Sequence, residues 1–591
     1  MLNDQTLNLG TLPTGFSEVV TTGVTGQVNL VVSSSGVASQ FWDGSNMAFD
    51  GAVHGGSGTW DNVTTNFTDA GVTANQAWLG GTAIFSAAAG TVTLGDNIAF
   101  QGMQFTIDGY TIVGAGGFTL VPTGTAVITT DGGVGAIILA QITGTGGLIK
   151  AGPGTLTVSG SNTYSGGTTV AAGILKVASD TNLGDIAGFL GLNGGELITT
   201  ANFTSARTVT LTPSVTGPNT LAANVNTIAT YTGAISGSGG LSVGDAGDTG
   251  TVVLTNVNNS YTGGTTVSGG TLSVNNDLNL GNLAGALTLH GAELLAGNLF
   301  TSARGVALTG NGGTLAAPAL GEATFTGNIT GSGNLTIGDL INTGTINFGG
   351  TNSYTGGTTV VSGVKLEALS TSAFSSASSF NVLGTLDLNG FANEVKSLSG
   401  NGTVTNGGGN GVVFTVGAGN GTSTFSGVLQ DGIGTLGLTK VGTGTLVLTG
   451  NNTYTGGTTI SGGSLQVGTG GGSGSIVGNL TDNGQLTFSR SGVSTFAGNA
   501  SGTGTLVQEG PGTLVLTGTN GYSGGTVINL GTLLAGSAQA LGTGDVTVNT
   551  GVLGGIVRPI SILGNLYAER RGHLAVEGCR RDPWSIRLFK H

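Results

Sequence analysis

A seven-residue core, Asn-x-Tyr-[Ser/Thr]-Gly-Gly-Thr, returns five times in this chain, at Asn162/Tyr164, Asn259/Tyr261, Asn352/Tyr354, Asn452/Tyr454 and Asn520/Tyr522. Repetition on this scale means one packing problem solved many times over. The residues around the first copy show what each solution looks like. In Thr155-Leu156-Thr157-Val158 apolar and hydroxyl residues alternate with period two, which places Leu156 and Val158 on one face of a strand and the threonines on the other. Asn162 through Gly167 then interrupts the strand, because Asn and Gly tolerate positive φ, and Thr168-Thr169-Val170 resumes it. The unit is strand, corner, strand, with Leu156 and Leu446 expected inside and Thr155 and Thr445 outside.

Gly supplies 118 of the 591 residues, while charged residues make up 7% and aromatics 6%. A Gly/Ser linker would lack the regularly placed Leu and Val, and disordered chains carry more charge. Collagen would need a strict three-residue Gly period and abundant Pro, and only 9 Pro are present. The composition therefore predicts an all-β chain of short strands and Gly-rich corners stacked as a solenoid.

The repetition extends beyond the Tyr core. Glu196 and Arg207 recur as Glu293 and Arg304, at the 97-residue offset that separates Tyr164 from Tyr261, so 145–335 reads as one duplicated block. Later Tyr spacings of 93, 100 and 68 residues indicate coils added or lost, which a stack in which coils touch only neighbours tolerates. No helix is needed in 1–555. Three regions result: 1–140 as an N-terminal cap region, 141–555 as the repeat body, and 556–591 as a divergent basic tail. Residues 1–40 are expected to form partial coils. Trp42, Trp60 and Trp78 lie together in the first region and are expected to cover the open end of the stack, with an aromatic sugar-binding platform as the alternative. The tail holds seven of the fifteen Lys and Arg and the lone Cys579. It reads as a shifted frame, a divergent in-frame end, or a basic docking segment.

The formal net charge is −13, and the body lacks the basic footprint that nucleic acid requires, so no nucleic-acid partner is expected. Catalytic groups are sparse. His54 and His290 are far apart in a chain whose coils meet only neighbours, no His-Glu-x-x-His motif occurs, and no Gly is followed directly by Lys. Asp245/Asp248 and Asp339 read as solvated corner residues rather than paired acids or calcium ligands. Glu196/Arg207 and Glu293/Arg304 read as ion pairs between coils or as a solvated edge. The Asn of each core reads as a corner ladder. No catalytic, cofactor or metal residue is predicted.

Gly444-Thr445-Leu446-Val447-Leu448-Thr449-Gly450-Asn451-Asn452-Thr453-Tyr454-Thr455-Gly456-Gly457-Thr458-Thr459-Ile460, followed by Gly463-Ser464-Leu465-Gln466-Val467, resembles the passenger-associated β-strand repeat of bacterial autotransporters. With the other copies the resemblance covers about 140–555. It implies a right-handed parallel β-helix (β-solenoid), displayed on or released from a Gram-negative cell by type V secretion. Its implied role is structural and adhesive, without a catalytic site. The implied partners are ligands on host or neighbouring cells and an outer-membrane β-barrel translocator. Neither a signal peptide at Met1-Leu2-Asn3-Asp4-Gln5 nor a closing run of barrel strands is read in these residues, so export is expected to rely on a barrel absent from this chain. The alternative is a β-helix enzyme acting on polysaccharide, which should gather acids and bases on one lateral face.

Overall fold

A computed structural model describes residues 16–21, 29–34, 39–417, 419–556, 561–568 and 573–574. The chain forms two units, 1–285 and 286–591. In both, short parallel strands pair with the strand one coil further along the chain, which is the β-solenoid expected from the repeats.

Register explains why the repeats carry Leu where they do. In the first unit Leu156 pairs with Leu175, Leu175 with Leu197 and Leu197 with Leu221, so one buried position repeats from coil to coil as a leucine column. The second unit has the same column in Leu446, Leu465, Leu486 and Leu506. Strand Thr155–Val158 alternates half-buried and buried residues, and in Thr445–Leu448 Leu446 is fully buried while Thr445 is not. Leu446→Ala is therefore expected to cost about 2–5 kcal/mol, and Thr445→Ala well under 1 kcal/mol. Equal losses in paired denaturant titrations would overturn this register.

The two core glycines serve different needs. A Cβ on Gly166 would lie 2.5 Å from the Gly147 nitrogen, and one on Gly263 2.2 Å from the Gly240 nitrogen, because successive coils touch backbone to backbone there. The next residue turns the chain instead: Gly167, Gly264, Gly457 and Gly525 all have φ between +78° and +94°.

At the N-terminal side of the first unit, strand Ser39–Trp42 runs parallel to Thr82–Phe85 but antiparallel to Phe67–Asp69, which pairs antiparallel with Asn75–Gln76. This reversal ends an eleven-stranded sheet that is otherwise parallel. Trp42, Trp60 and Trp78 are 0%, 0% and 6% exposed, and Trp60 meets Trp78 edge-on at 5.1 Å between ring centroids. Such burial leaves these three rings no exposed aromatic platform, so the sugar-binding alternative for these tryptophans fails and they pack as core side chains beside the antiparallel end of the sheet.

The helix-free reading needs one amendment. Single 3₁₀ turns form at Asp180–Leu183 and Asp277–Leu280, where Asn182 Oδ1 accepts from the nitrogens of Ala178 and Ser179, and Asn279 Oδ1 from those of Asn275 and Asn276. A side chain bonding its own backbone closes a turn too short for periodicity to reveal.

Of the partial coils expected over 1–40, the described part is an antiparallel pair, Phe16–Thr21 with Asn29–Ser34, and the start of strand Ser39–Trp42. The tail expectation falls mostly outside the described residues, Cys579 included. Its described stretches continue the parallel ladders: Leu566–Ala568 pairs with Val546–Val548, and His573–Leu574 with Val552–Gly555.

Candidate functional site

The Asn of each core is a clasp joining three coils. Asn162 Oδ1 accepts from the Ile142 nitrogen at 2.7 Å, and its Nδ2 donates to the Asn182 carbonyl at 2.6 Å. The other four repeat this at 2.6–2.8 Å: Asn259 between Ile235 and Asn279, Asn352 between Ile329 and Ala373, Asn452 between Leu429 and Ser475, Asn520 between Ala500 and Ala540. A primary amide suits the position because it offers an acceptor and a donor to corner groups that the sheets leave unpaired. All five are buried. The ladder expected from sequence is thus made of side chain to backbone bonds.

The core Tyr and Thr close on each other. Each Tyr Oη lies 2.5–2.7 Å from the Oγ1 of the Thr four residues on, from Tyr164–Thr168 to Tyr522–Thr526. Burial pushes the Tyr164 hydroxyl up to about 12 and those of Tyr354, Tyr454 and Tyr522 up as well. Burial thus favours these phenols as neutral hydrogen-bonding groups.

Glu196 and Arg207 do not pair, which corrects the ion-pair expectation. Arg207, 2% exposed, reaches Asp180 Oδ1 through Nε at 3.0 Å. Its remaining donors bind the carbonyls of Asp180, Gly184, Asp185 and Gly188 at 2.5–3.1 Å, which fastens the 3₁₀ turn and the loop after it. Planar guanidinium geometry makes this possible, since five donors leave in fixed directions. The partner left a trace in the sequence: Asp180 recurs as Asp277 at the same 97-residue offset as Arg207 and Arg304. Arg304 is buried too.

Glu196 faces other acids. Burial first, then the charges of Asp245 and Asp248, push its carboxyl up to about 7, against the opposing pull of Lys176. Asp245 is a corner residue whose Oδ1 accepts from the nitrogens of Gly247 and Asp248, and Asp339 Oδ1 accepts likewise from Ile341 and Asn342. His54 Nδ1 lies 3.0 Å from Asp43 Oδ1, and His290 Nδ1 2.8 Å from Thr309 Oγ1, so each histidine has separate local partners. Among the described residues, no group of three or more His, Cys, Asp or Glu is placed to hold a metal ion.

Composition gave no warning of the buried cations. Lys150 Nζ donates to the carbonyls of Ala151, Gly152 and Ala172, and Lys440 Nζ to those of Val441, Gly442 and Gly462, with burial drawing Lys150 down to about 8 and Lys440 down also. Gln508 holds the same place in the last repeat and bonds the carbonyls of Gly510 and Gly512. Aligning Lys150-Ala151-Gly152 with Lys440-Val441-Gly442 would have found the pair.

Asp482 is 2% exposed, and burial raises its carboxyl to about 6 against the downward pull of backbone bonds from Gly484 and Leu486. A raised folded-state pKa means that the folded protein holds the proton more tightly. Its stabilising contribution is present below about pH 4 and is lost as pH rises through about 6. Asp482→Asn should thus leave stability unchanged near pH 3.5 and raise it by about 1–3 kcal/mol at pH 8. Urea midpoints at the two pH values test this, and a destabilised variant at pH 8 would refute it.

A groove of about 410 Å³ runs beside the 212–218 loop and is lined by residues such as Pro213, Ser214, Asn219, Ser238, Thr266 and Ser268. A second, of about 500 Å³, includes Asn479, Thr481, Asn499, Thr519 and Gln539. Both present hydroxyls and amides to solvent, and neither lining includes a titratable side chain.

Parallel coils, an Asn clasp and a Tyr–Thr latch repeated at each core define a class of protein, the repeat-built parallel β-solenoid. The passenger-associated-transport-repeat family matches residues 148–177, 247–274, 438–467 and 506–535. The copy around Tyr354 lies outside those ranges yet keeps the Asn352 clasp and the Tyr354–Thr358 bond. The chain is a β-solenoid carrying the repeats of autotransporter passengers. Over 302 residues, 49% of its length, it is 34% identical to the Adhesin BmaC autotransporter of Brucella suis biovar 1 (strain 1330). The aligned stretch spans 8% of that relative. No solved structure matches the chain.

Proposed function

We propose that this chain is a stretch of an adhesive autotransporter passenger, displayed at the surface of a Gram-negative cell after passage through an outer-membrane β-barrel translocator. It acts as a spacer and a ligand-presenting scaffold rather than as an enzyme. The observation that carries this reading is the 302-residue similarity to a named adhesin. The chemistry of the coils agrees with it: the recurring Asn, Tyr, Thr and Arg207 groups are consumed in bonds to the protein's own backbone and hydroxyls, while corners differ from copy to copy. A stack held together internally leaves its corner residues free to vary and to bind.

The test is to place the chain between a signal peptide and a translocator barrel in a non-adherent Gram-negative host. Surface exposure is checked by protease shaving, and attachment to epithelial monolayers and to neighbouring cells is then counted. Attachment should rise about tenfold over the barrel alone, as multivalent display of weak contacts produces. A chain that is displayed but leaves attachment at the barrel-only level would sink the adhesive reading.

A further inference from the structure

The duplicated block contains its own control experiment. Residues 196–250 and 293–344 are two copies of one sequence pattern, with Glu196, Phe203 and Arg207 answering to Glu293, Phe300 and Arg304, and beyond a three-residue shortening Asp245 answers to Asp339. The bulged strand Asn219–Tyr231 of the first copy is divided into Gly313–Ala316 and Glu322–Phe325 in the second. Along one edge of the second copy, three successive corners hold four strongly exposed aliphatic residues: Leu299 at 75%, Leu320 at 102%, Leu340 at 87% and Ile341 at 81%. The positions that answer to them in the first copy are Asn202, Asn226, Ala246 and Gly247.

The three corners are stacked. Asn298 Oδ1 accepts from the Glu322 nitrogen, the Gly344 nitrogen donates to the Ala317 carbonyl, and the Thr345 nitrogen to the Gly321 carbonyl. Phe300, Ala323 and Ile346 align in register just beyond them. Coils about 4.8 Å apart set the leucines as a continuous ridge.

Folding gives no reason for these residues. Leu320 has φ +64°, and its counterpart Asn226 has φ +63°, so one left-handed corner is built with the residue that suits it in one copy and with leucine in the other. Leu299 is also left-handed, at φ +59°. That conformation disfavours leucine, and a fully exposed side chain recovers nothing by burial. The first copy has half-exposed Val225 and Ile228 where the second has Ala319 and Glu322, so the exchange moves the apolar surface outward to the corner tips.

We propose that the ridge Leu299, Leu320, Leu340 and Ile341 is a docking edge for a polypeptide whose apolar face is bordered by Lys or Arg. Charge selects this occupant. Glu322 and Asp339 stand beside Leu320 and Leu340 on the corners that carry the ridge, and Lys365 on the next coil is already engaged by Glu367 and Asp387. An anionic lipid surface would be repelled by that flank, and a second copy of the chain would set the same acids against each other, whereas basic borders complete the contact. The inference deepens the adhesive reading and rests on it for the presence of an external partner. Purified protein is used for its test, so ridge binding and cell attachment can succeed or fail separately.

The purified full chain is titrated with a 20-residue helical peptide carrying Leu along one face and Lys on both borders. The same peptide with Glu borders, zwitterionic phosphatidylcholine vesicles, and the protein alone in an ultracentrifuge complete the set. The variant Leu299→Asn, Leu320→Asn, Leu340→Ala, Ile341→Gly carries residues that the first copy uses at the answering positions, so its melting temperature should hold or rise. The Lys-bordered peptide should bind the native protein about tenfold or more tightly than it binds the variant, and about tenfold more tightly than the Glu-bordered peptide binds. The converse variant, Asn226→Leu, Ala246→Leu, Gly247→Ile, should gain binding. Equal affinities for native and variant protein, or for both peptides, would overturn the proposal. So would vesicle binding that the four changes abolish, which would assign the ridge to a lipid surface, or self-association that they abolish, which would assign it to a second copy.

Discussion

Arg207→Met is expected to lower stability by about 4–6 kcal/mol, the loss that follows when a buried ion pair and several carbonyls lose their common partner. The side chain serves Asp180 Oδ1 and four backbone carbonyls between Asp180 and Gly188. Methionine fills most of the volume and supplies no donor, so the Asp180 carboxylate and those carbonyls must be rehydrated by opening the corner or remain unpaired. Hydrogen exchange should place the loss locally, with the amides of 180–188 exposed first, because a stacked coil depends on its neighbours and little else. Arg207→Lys should recover less than half of the loss, since one ammonium cannot reproduce the fork of a guanidinium. The comparison substitution is Thr204→Ala on the exposed face of strand Phe203–Ser205. If Arg207→Met melts no earlier than Thr204→Ala, the network is not what holds the corner.

Asn452→Ala is expected to cost about 3–6 kcal/mol, from two buried backbone groups orphaned at about 1–3 kcal/mol each together with the packing lost around them. Asn452 accepts from Leu429 and donates to Ser475, so its loss weakens the coil before it and the coil after it together. Asp at the same position separates the two bonds. Asn452→Asp keeps the acceptor, loses the donor and buries a charge. It should therefore be at least as destabilising as Ala above the titration range of its carboxyl and milder below it, a pH dependence the Ala variant cannot show. Pulse proteolysis should register the Ala loss in all five repeats to a similar degree. A repeat in which Asn→Ala is neutral would show that its clasp is replaceable.

Coil organisation was legible because it depends on neighbours in sequence. Period-two alternation in Thr155–Val158 and the Gly-Gly corners were enough to separate inward Leu156 from outward Thr155, and the fivefold core was enough to require stacking. The Asn ladder was also anticipated in outline, since a residue that returns at every corner meets its own kind of environment from coil to coil. The 3₁₀ turns at Asp180–Leu183 and Asp277–Leu280 were missed because four residues bonding their own backbone leave no periodic signature.

The sequence by itself determined which residues face inward and that coils must stack, because side-chain alternation and corner conformation are local properties of the chain. Only the tertiary structure decided the partners across coils. Arg207 could have met Glu196, eleven positions away, and instead met Asp180, twenty-seven positions away, because stacking places the corner at 180–188 against it. The same holds for the buried Lys150, whose ammonium finds the carbonyls of its own corner and of Ala172 one coil on, and for the ridge of Leu299, Leu320, Leu340 and Ile341. Those leucines are scattered over more than forty positions and become one surface only when successive corners lie a strand spacing apart, a distance that register sets and that spacing along the chain does not encode.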